Sequence, residues 1–148
     1  MATVSHSSTA TPADVWAVLA HGWYYSNWVV GTSHMRAVEA SWPAVGSRLH
    51  HASGVWPLVA RDETVVEEAY EHRRLVLEAK GRPFGSARIV IELEADGPGC
   101  TITLAETPSS GPGSWFDNPV AQAALARRNV EALARLAAIA EGRTEPAD

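Results

Sequence analysis

Glu106 lies near the end of an alternating run in which Ile102, Leu104 and Glu106 interleave with Thr101, Thr103 and Thr107. On a strand, successive side chains point to opposite faces, so Glu106 shares the apolar one. A carboxyl on a covered face has its pKa raised by desolvation and suits a general acid or base near neutrality. At a strand end it would instead be solvated or paired with an arginine. His50 and His51 are adjacent, and on a strand they face opposite ways; His51, in step with Leu49, is the inward one. A His51–Glu106 pair would form an acid–base couple, with the carboxylate holding the imidazole tautomer. The alternative is a histidine with a purely structural role. Asn129 falls in the middle of an apolar helical stripe, where its amide must find partners. Those partners are either a ligand or the sheet and the loop before the helix.

Six tryptophans outnumber three tyrosines and two phenylalanines. Trp28, Trp56 and Trp115 sit at or beside expected loops, where they could surround a cavity mouth and stack on a planar ligand. Capping the ends of the core is the other reading. Leu104 on a strand and Leu125 on the last helix would line the same space. Gly111 and Gly113 make the loop before that helix either a hinge or a linker. Metal binding is not expected. His34, His50 and His51 lack zinc-site spacing, and Cys100 has no second cysteine for a zinc pair or a disulfide. The chain has neither a phosphate-binding loop nor a serine nucleophile elbow.

These residues need a scaffold, and the chain can build one. Its 148 residues are 46% hydrophobic and 20% charged, which suits a single globular domain and excludes a disordered chain. A net charge of −5 lacks the basic footprint of a nucleic-acid binder. Charged residues interrupt the longest Ala/Leu-rich tract, so no bilayer span is expected. The first residues have no basic and apolar leader pattern, so a cytoplasmic location is expected. A homodimer is left open as an assembly.

The spacing predicts a first strand over 2–8. A helix follows, capped by Thr11 with Pro12 at its first position and Asp14 in its first turn. A second short helical piece is expected over 23–29. Six strand-like runs come next, at 32–40, 47–53, 57–70, 74–80, 86–96 and 100–107, with turn residues between them. Parity is clear in the last three. Leu75, Leu77 and Ala79 oppose Arg74, Glu78 and Lys80, while Ile89, Ile91 and Leu93 oppose Arg88, Glu92 and Glu94. The runs at 32–39 and 57–69 are less regular and invite bulges. Asp117-Asn118-Pro119 starts a long helix running to about Glu141, with Leu125, Asn129, Ala132, Leu133, Leu136 and Ala140 on one side. The domain is expected over 1–141, with 142–148 as a polar tail.

This order resembles the helix-grip fold of the START-like, or SRPBCC, superfamily, which includes polyketide cyclases and dehydratases, birch-pollen-type allergens and lipid-transfer domains. Pro12-Ala13-Asp14-Val15-Trp16 is similar to that group's P-x-x-V-W/F helix start, and Pro43-Ala44-Val45-Gly46-Ser47-Arg48 to its P-x-x-G-x-R segment. The resemblance implies an α+β fold in which a curved antiparallel sheet wraps a long C-terminal helix, with two short helices between strands 1 and 2. It also implies a hydrophobic small-molecule partner, polyketide- or lipid-like. An enzyme of this kind would cyclise, condense or dehydrate a bound polyketide chain without a cofactor. Glu106 and His51 would then move protons, and Asn129 would donate to an enolate oxygen. The alternatives are a non-catalytic carrier or sensor, and a co-chaperone-like interaction module working through the acidic Glu67-Glu68 stretch.

Overall fold

The structure is a computed structural model describing residues 2–30, 32–53, 60–81, 85–110 and 119–144. The chain opens with β1 (Ala2–Ser8) and α1 (Pro12–Ala20). A 3-10 turn (Gly22–Tyr24) and the four-residue helix α2 (Tyr25–Trp28) follow. Six strands come next: β2 (Thr32–Val38), β3 (Arg48–Ser53), β4 (Ala60–Tyr70), β5 (Arg74–Gly81), β6 (Gly85–Asp96) and β7 (Gly99–Ser110). The last element is α3 (Pro119–Thr144).

The helix start reads as its residues dictate. The Thr11 hydroxyl accepts from the Asp14 backbone N–H at 3.2 Å and donates to the Asp14 carboxylate at 2.8 Å, while Pro12 takes the first turn, where its missing N–H costs nothing. The chain then turns at Gly22. A Cβ there would meet Leu49 Cδ2 at 2.6 Å and Val38 Cγ1 at 2.7 Å, so only glycine lets α1 end so close to the sheet. Trp42 fixes the same junction by donating its indole N–H to Leu19 O at 3.0 Å. Gly46, at φ +87, turns the 43–48 segment so that Gly46 N–H bonds Val66 O and Val66 N–H bonds Ser47 O. That segment's resemblance to a family motif is therefore a matter of backbone geometry.

All seven strands form one curved antiparallel sheet in the order β1-β7-β6-β5-β4-β3-β2, the α+β helix-grip arrangement. Register shifts break the β2–β3 ladder between Thr32 and His34 and between Met35 and Ala37, and the β4–β5 ladder between Val66 and Glu68. These are the two irregular runs of the sequence. A further shift lies between Ser86 and Ala87 on β6. The inner face carries Leu49, Val66, Leu75, Leu77, Ile91, Ile102 and Leu104, all buried, against Leu133, Leu136, Ala137 and Ala140 of α3 and Val15, Val18 and Leu19 of α1. Burying one such aliphatic side chain contributes about 1.5–3 kcal/mol. Close backbone approaches of α3 are to β1, α1 and α2, and it meets β7 more sparingly.

The outer face is less wet than strand parity suggests. Val76 lies there with no exposure, between Arg74 and Glu78 in sequence and opposite Glu68 and Val90. Around it runs a lattice of ion pairs: Arg74–Glu68 at 3.7 Å, Arg88–Glu68 at 3.1 Å, Arg88–Glu67 at 3.4 Å and Arg74–Glu92 at 3.1 Å. Glu67 and Glu68, the acidic stretch considered for an interaction module, are thus each paired with neighbouring arginines. α3 runs on to Thr144 rather than ending near Glu141. No helix among the described residues is long and apolar enough to cross a membrane.

Candidate ligand site

Alternation along β7 carries Glu106 onto the inner face with Ile102 and Leu104, where it is only 7% exposed. One turn of α3 supplies its partners. Arg128 Nη2 donates to Glu106 Oε1 at 2.6 Å and Oε2 at 2.7 Å, and Asn129 Nδ2 donates to Oε1 at 3.3 Å. Asn129 is buried, while the Arg128 side chain is 43% exposed and reaches Glu106 from the rim. A buried carboxylate that accepts three charge-assisted or amide contacts from two nitrogens is a satisfied group. It can hold a polar ligand atom in register, but it is not a bare base.

A second polar group is built from the other end of the sheet and from α2. His51 faces inward with Leu49, and His50 turns outward, 3.9 Å from Glu63. His51 Nε2 lies 3.0 Å from Thr64 Oγ1, and the same oxygen lies 3.1 Å from the hydroxyl of Tyr25. The Tyr25 ring stacks on His51 with centroids 5.4 Å apart and takes the edge of Trp28 at 5.5 Å. Burial pushes the Tyr25 phenol up to about 12. The Thr64 hydrogen bond opposes that rise, the charge of Glu106 adds to it, and that of Arg128 subtracts. Tyr25 is thus a neutral hydroxyl under the influence of both members of the ion pair. Burial holds the His51 imidazole below its usual range, with the nearby Asp62 carboxylate opposing.

The sequence candidates are distributed as follows. Glu106 and Asn129 are joined directly. His51 and Glu106, expected as one couple, are held by different partners: His51 by Thr64, and Glu106 by Arg128 and Asn129. Leu104 is buried in the inner wall and Leu125 is partly exposed on α3. Trp28 is 4% exposed and packs within the core cluster rather than standing open at a rim. Trp56, Trp115, the hinge glycines Gly111 and Gly113, the helix cap Asp117-Asn118 and the side chain of His34 lie outside the described residues. Among the described residues no group of three His, Cys, Asp or Glu side chains is placed to hold a metal ion.

Sequence reasoning passed over Arg128, Tyr25 and Thr64. At 100° per residue Arg128 sits about 60° from Leu125, on the flank of the apolar stripe, which is where a long side chain can lay its stem on apolar surface and keep its charge at the rim. Thr64 shares parity with Val66, a signal obscured by the bulge that follows. Tyr25 belongs to a helix too short to show periodicity.

The family described as "Polyketide cyclase / dehydrase and lipid transport" matches residues 1–141. No curated protein sequence matches. Among solved structures, the chain is similar to DynU16, from the dynemicin biosynthetic locus, with 16% identity and a TM-score of 0.68 over 95% of this chain and 46% of that one. It is similar to the di-domain ARO/CYC StfQ of the steffimycin biosynthetic pathway, with 11% identity and a TM-score of 0.71 over 95% of this chain and 50% of that one. It is also similar to MLL2253 from Mesorhizobium loti, with 15% identity and a TM-score of 0.72 over 97% and 98% of the two chains. The chain thus spans about half the length of DynU16 and StfQ and nearly all of MLL2253. At these identities the likenesses speak for fold alone. The family match over nearly its whole length decides the rest: this chain belongs to the polyketide cyclase / dehydrase and lipid transport family.

Proposed function

We propose that this protein receives a hydrophobic, oxygen-bearing small molecule of the polyketide class between the inner face of its sheet and α3. The carrying observation is the buried Glu106–Asn129 contact, completed by Arg128, set in a largely apolar interior. An interior that only needed to be filled has no use for a carboxylate, and burying one is costly unless it is fully partnered. Apolar walls with a few convergent polar groups are what small-molecule sites are made of. Family membership supports the ligand class, as does the likeness to DynU16 and to StfQ, each tied by its description to a biosynthetic locus or pathway.

Catalysis in such a site would be cofactor-free cyclisation, aldol condensation or dehydration. The apolar wall would fold the chain so that reacting carbons meet, and the polar groups would manage protons at its oxygens. One observation favours a second reading, a non-catalytic carrier. Glu106 is already saturated by Arg128 and Asn129, a state that suits orientation better than proton abstraction.

Native mass spectrometry of freshly purified protein tests the site, and a co-purifying small molecule of polyketide or lipid type is the expected result. Incubation with poly-β-ketone thioester mimics then separates the readings: a cyclised or dehydrated product marks the enzyme, and saturable binding without product marks the carrier. Failure to bind any such molecule would sink both.

A further inference from the structure

We propose that Tyr25, Thr64 and His51 form a proton relay, with Tyr25 meeting an acidic hydroxyl or enol of the ligand and His51 holding the proton at the far end. The proposal rests on the ligand site above and names the part of it that handles protons. Thr64 Oγ1 lies 3.1 Å from Tyr25 Oη and 3.0 Å from His51 Nε2. Its hydroxyl has one hydrogen for two neighbours, so the row has a direction. When Nε2 is bare, the protons point from Tyr25 through Thr64 to His51; when Nε2 carries hydrogen, they can point back. Changing the proton at one end therefore reverses the whole row.

Three further features separate this row from ordinary core packing. His51 is 4% exposed, yet its Nδ1 has no hydrogen-bond partner among the described residues, an expensive condition for a histidine with only a structural task. Burial disfavours an imidazolium at His51, and Asp62, directly opposite on β4, opposes that with its charge, so an imidazolium formed there would have a counter-charge. Thr64 is fully buried and Tyr25 nearly so, which keeps bulk water from short-circuiting the transfer. Tyr25 also feels the charges of Glu106 and Arg128, so the near end of the row lies within electrostatic reach of the polar group that would hold the ligand.

The step balances as follows. The ligand O–H bond breaks and its proton joins Tyr25 Oη. The original Tyr25 proton passes to Thr64 Oγ1, and the original Thr64 proton passes to His51 Nε2. The ligand is left as an oxyanion accepting a hydrogen bond from Tyr25, and His51 is left as an imidazolium opposite Asp62. Tyr25 and Thr64 end as they began.

The flat phenol 7-hydroxyflavone, whose neutral and ionised forms absorb at different wavelengths, is a direct probe, and 7-methoxyflavone is the same shape without the proton. The ionised fraction of the hydroxyflavone is read across pH at saturating protein, so changes in affinity do not enter. The expected result is that bound probe ionises at a pH at least about one unit lower than free probe, a tenfold or greater shift. Tyr25→Phe, His51→Gln and Thr64→Val should each abolish the shift, whereas Thr64→Ser, which keeps the hydroxyl, should retain it. If Thr64→Val fails to fold, His51→Gln and the Thr64→Ser rescue still decide. A parent protein that binds neither flavone removes the ligand site itself. Binding without an ionisation shift, or a shift that survives Thr64→Val and His51→Gln, overturns the relay and leaves the site standing.

Discussion

Arg128 meets Glu106 through a single nitrogen: Nη2 lies 2.6 Å from one carboxylate oxygen and 2.7 Å from the other. The arginine comes from the partly exposed flank of α3 and the glutamate from the buried face of β7, so one charge is nearly dry and the other half wet. Such a pair is asymmetric in its response to mutation. Removing the wetter partner strands the drier one, whereas removing the drier partner leaves a guanidinium that can turn to solvent.

Arg128→Met should therefore destabilise the protein by about 1–3 kcal/mol, more than Glu106→Gln, which keeps the shape and an acceptor for Asn129. Chemical denaturation of both single variants and the double variant measures the pair. The double variant should lose clearly less than the sum of the two single losses, and strict additivity would mean that the contact carries no coupling.

His51 gives a pH dependence whose sign can be worked out. Its folded pKa lies below the ordinary 6.5, so the unfolded chain binds the extra proton first. The contribution to stability is thus complete above about 6.5 and is lost as pH falls through the folded value. The parent protein should lose stability relative to His51→Gln on acidification, by up to about 1.4 kcal/mol per pH unit in that window. Paired denaturation curves at neutral and mildly acidic pH provide the check.

Tyr25 gives the opposite slope at the alkaline end. Its folded pKa of about 12 exceeds the ordinary 10.0, so its contribution is present below 10.0 and lost as pH rises towards 12. The difference in ultraviolet absorbance between parent and Tyr25→Phe should show a tyrosinate step near 12. A step near 10 would mean that the phenol is not buried as described.

Gly22→Ala should be costly for a steric reason. The added methyl meets Leu49 and Val38 well inside contact distance, so α1 must lift from the sheet or both side chains must move, at about 1–3 kcal/mol. A fall in thermal midpoint measures it, and Val45→Ala, at a site 66% exposed, should leave the midpoint nearly unchanged.

Much of this architecture was legible because local signals and burial agree. Thr11, Pro12 and Asp14 announce α1, and alternation from Thr101 to Thr107 puts Glu106 indoors. His51 is indoors for the same reason, through its parity with Leu49. The partners of those residues were harder to see. Arg128 looks like a surface arginine until β7 is brought beneath it, and Thr64 is one residue type among many on a strand whose alternation breaks after Val66. Pairing across the interior joins residues 22 positions apart in one case and 39 in another, and neither separation follows from any local period. Val76 shows the converse limit: parity assigns it to the outer face, but only neighbouring strands decide that the outer face there is covered.

The strand order has a consequence for how the chain assembles. β1 and β2 are neighbours in sequence but occupy opposite margins of the sheet, and among the described residues the only strand partner of β1 is β7. During synthesis β1 must therefore wait for β7 before its ladder can close. The β2–β7 meander can zip locally, hairpin by hairpin, while β1 closes a loop of almost the whole chain at a large entropic cost. Final locking of the N-terminal strand should set the pace of folding, and until it happens β7 presents an unpaired margin open to association with other chains.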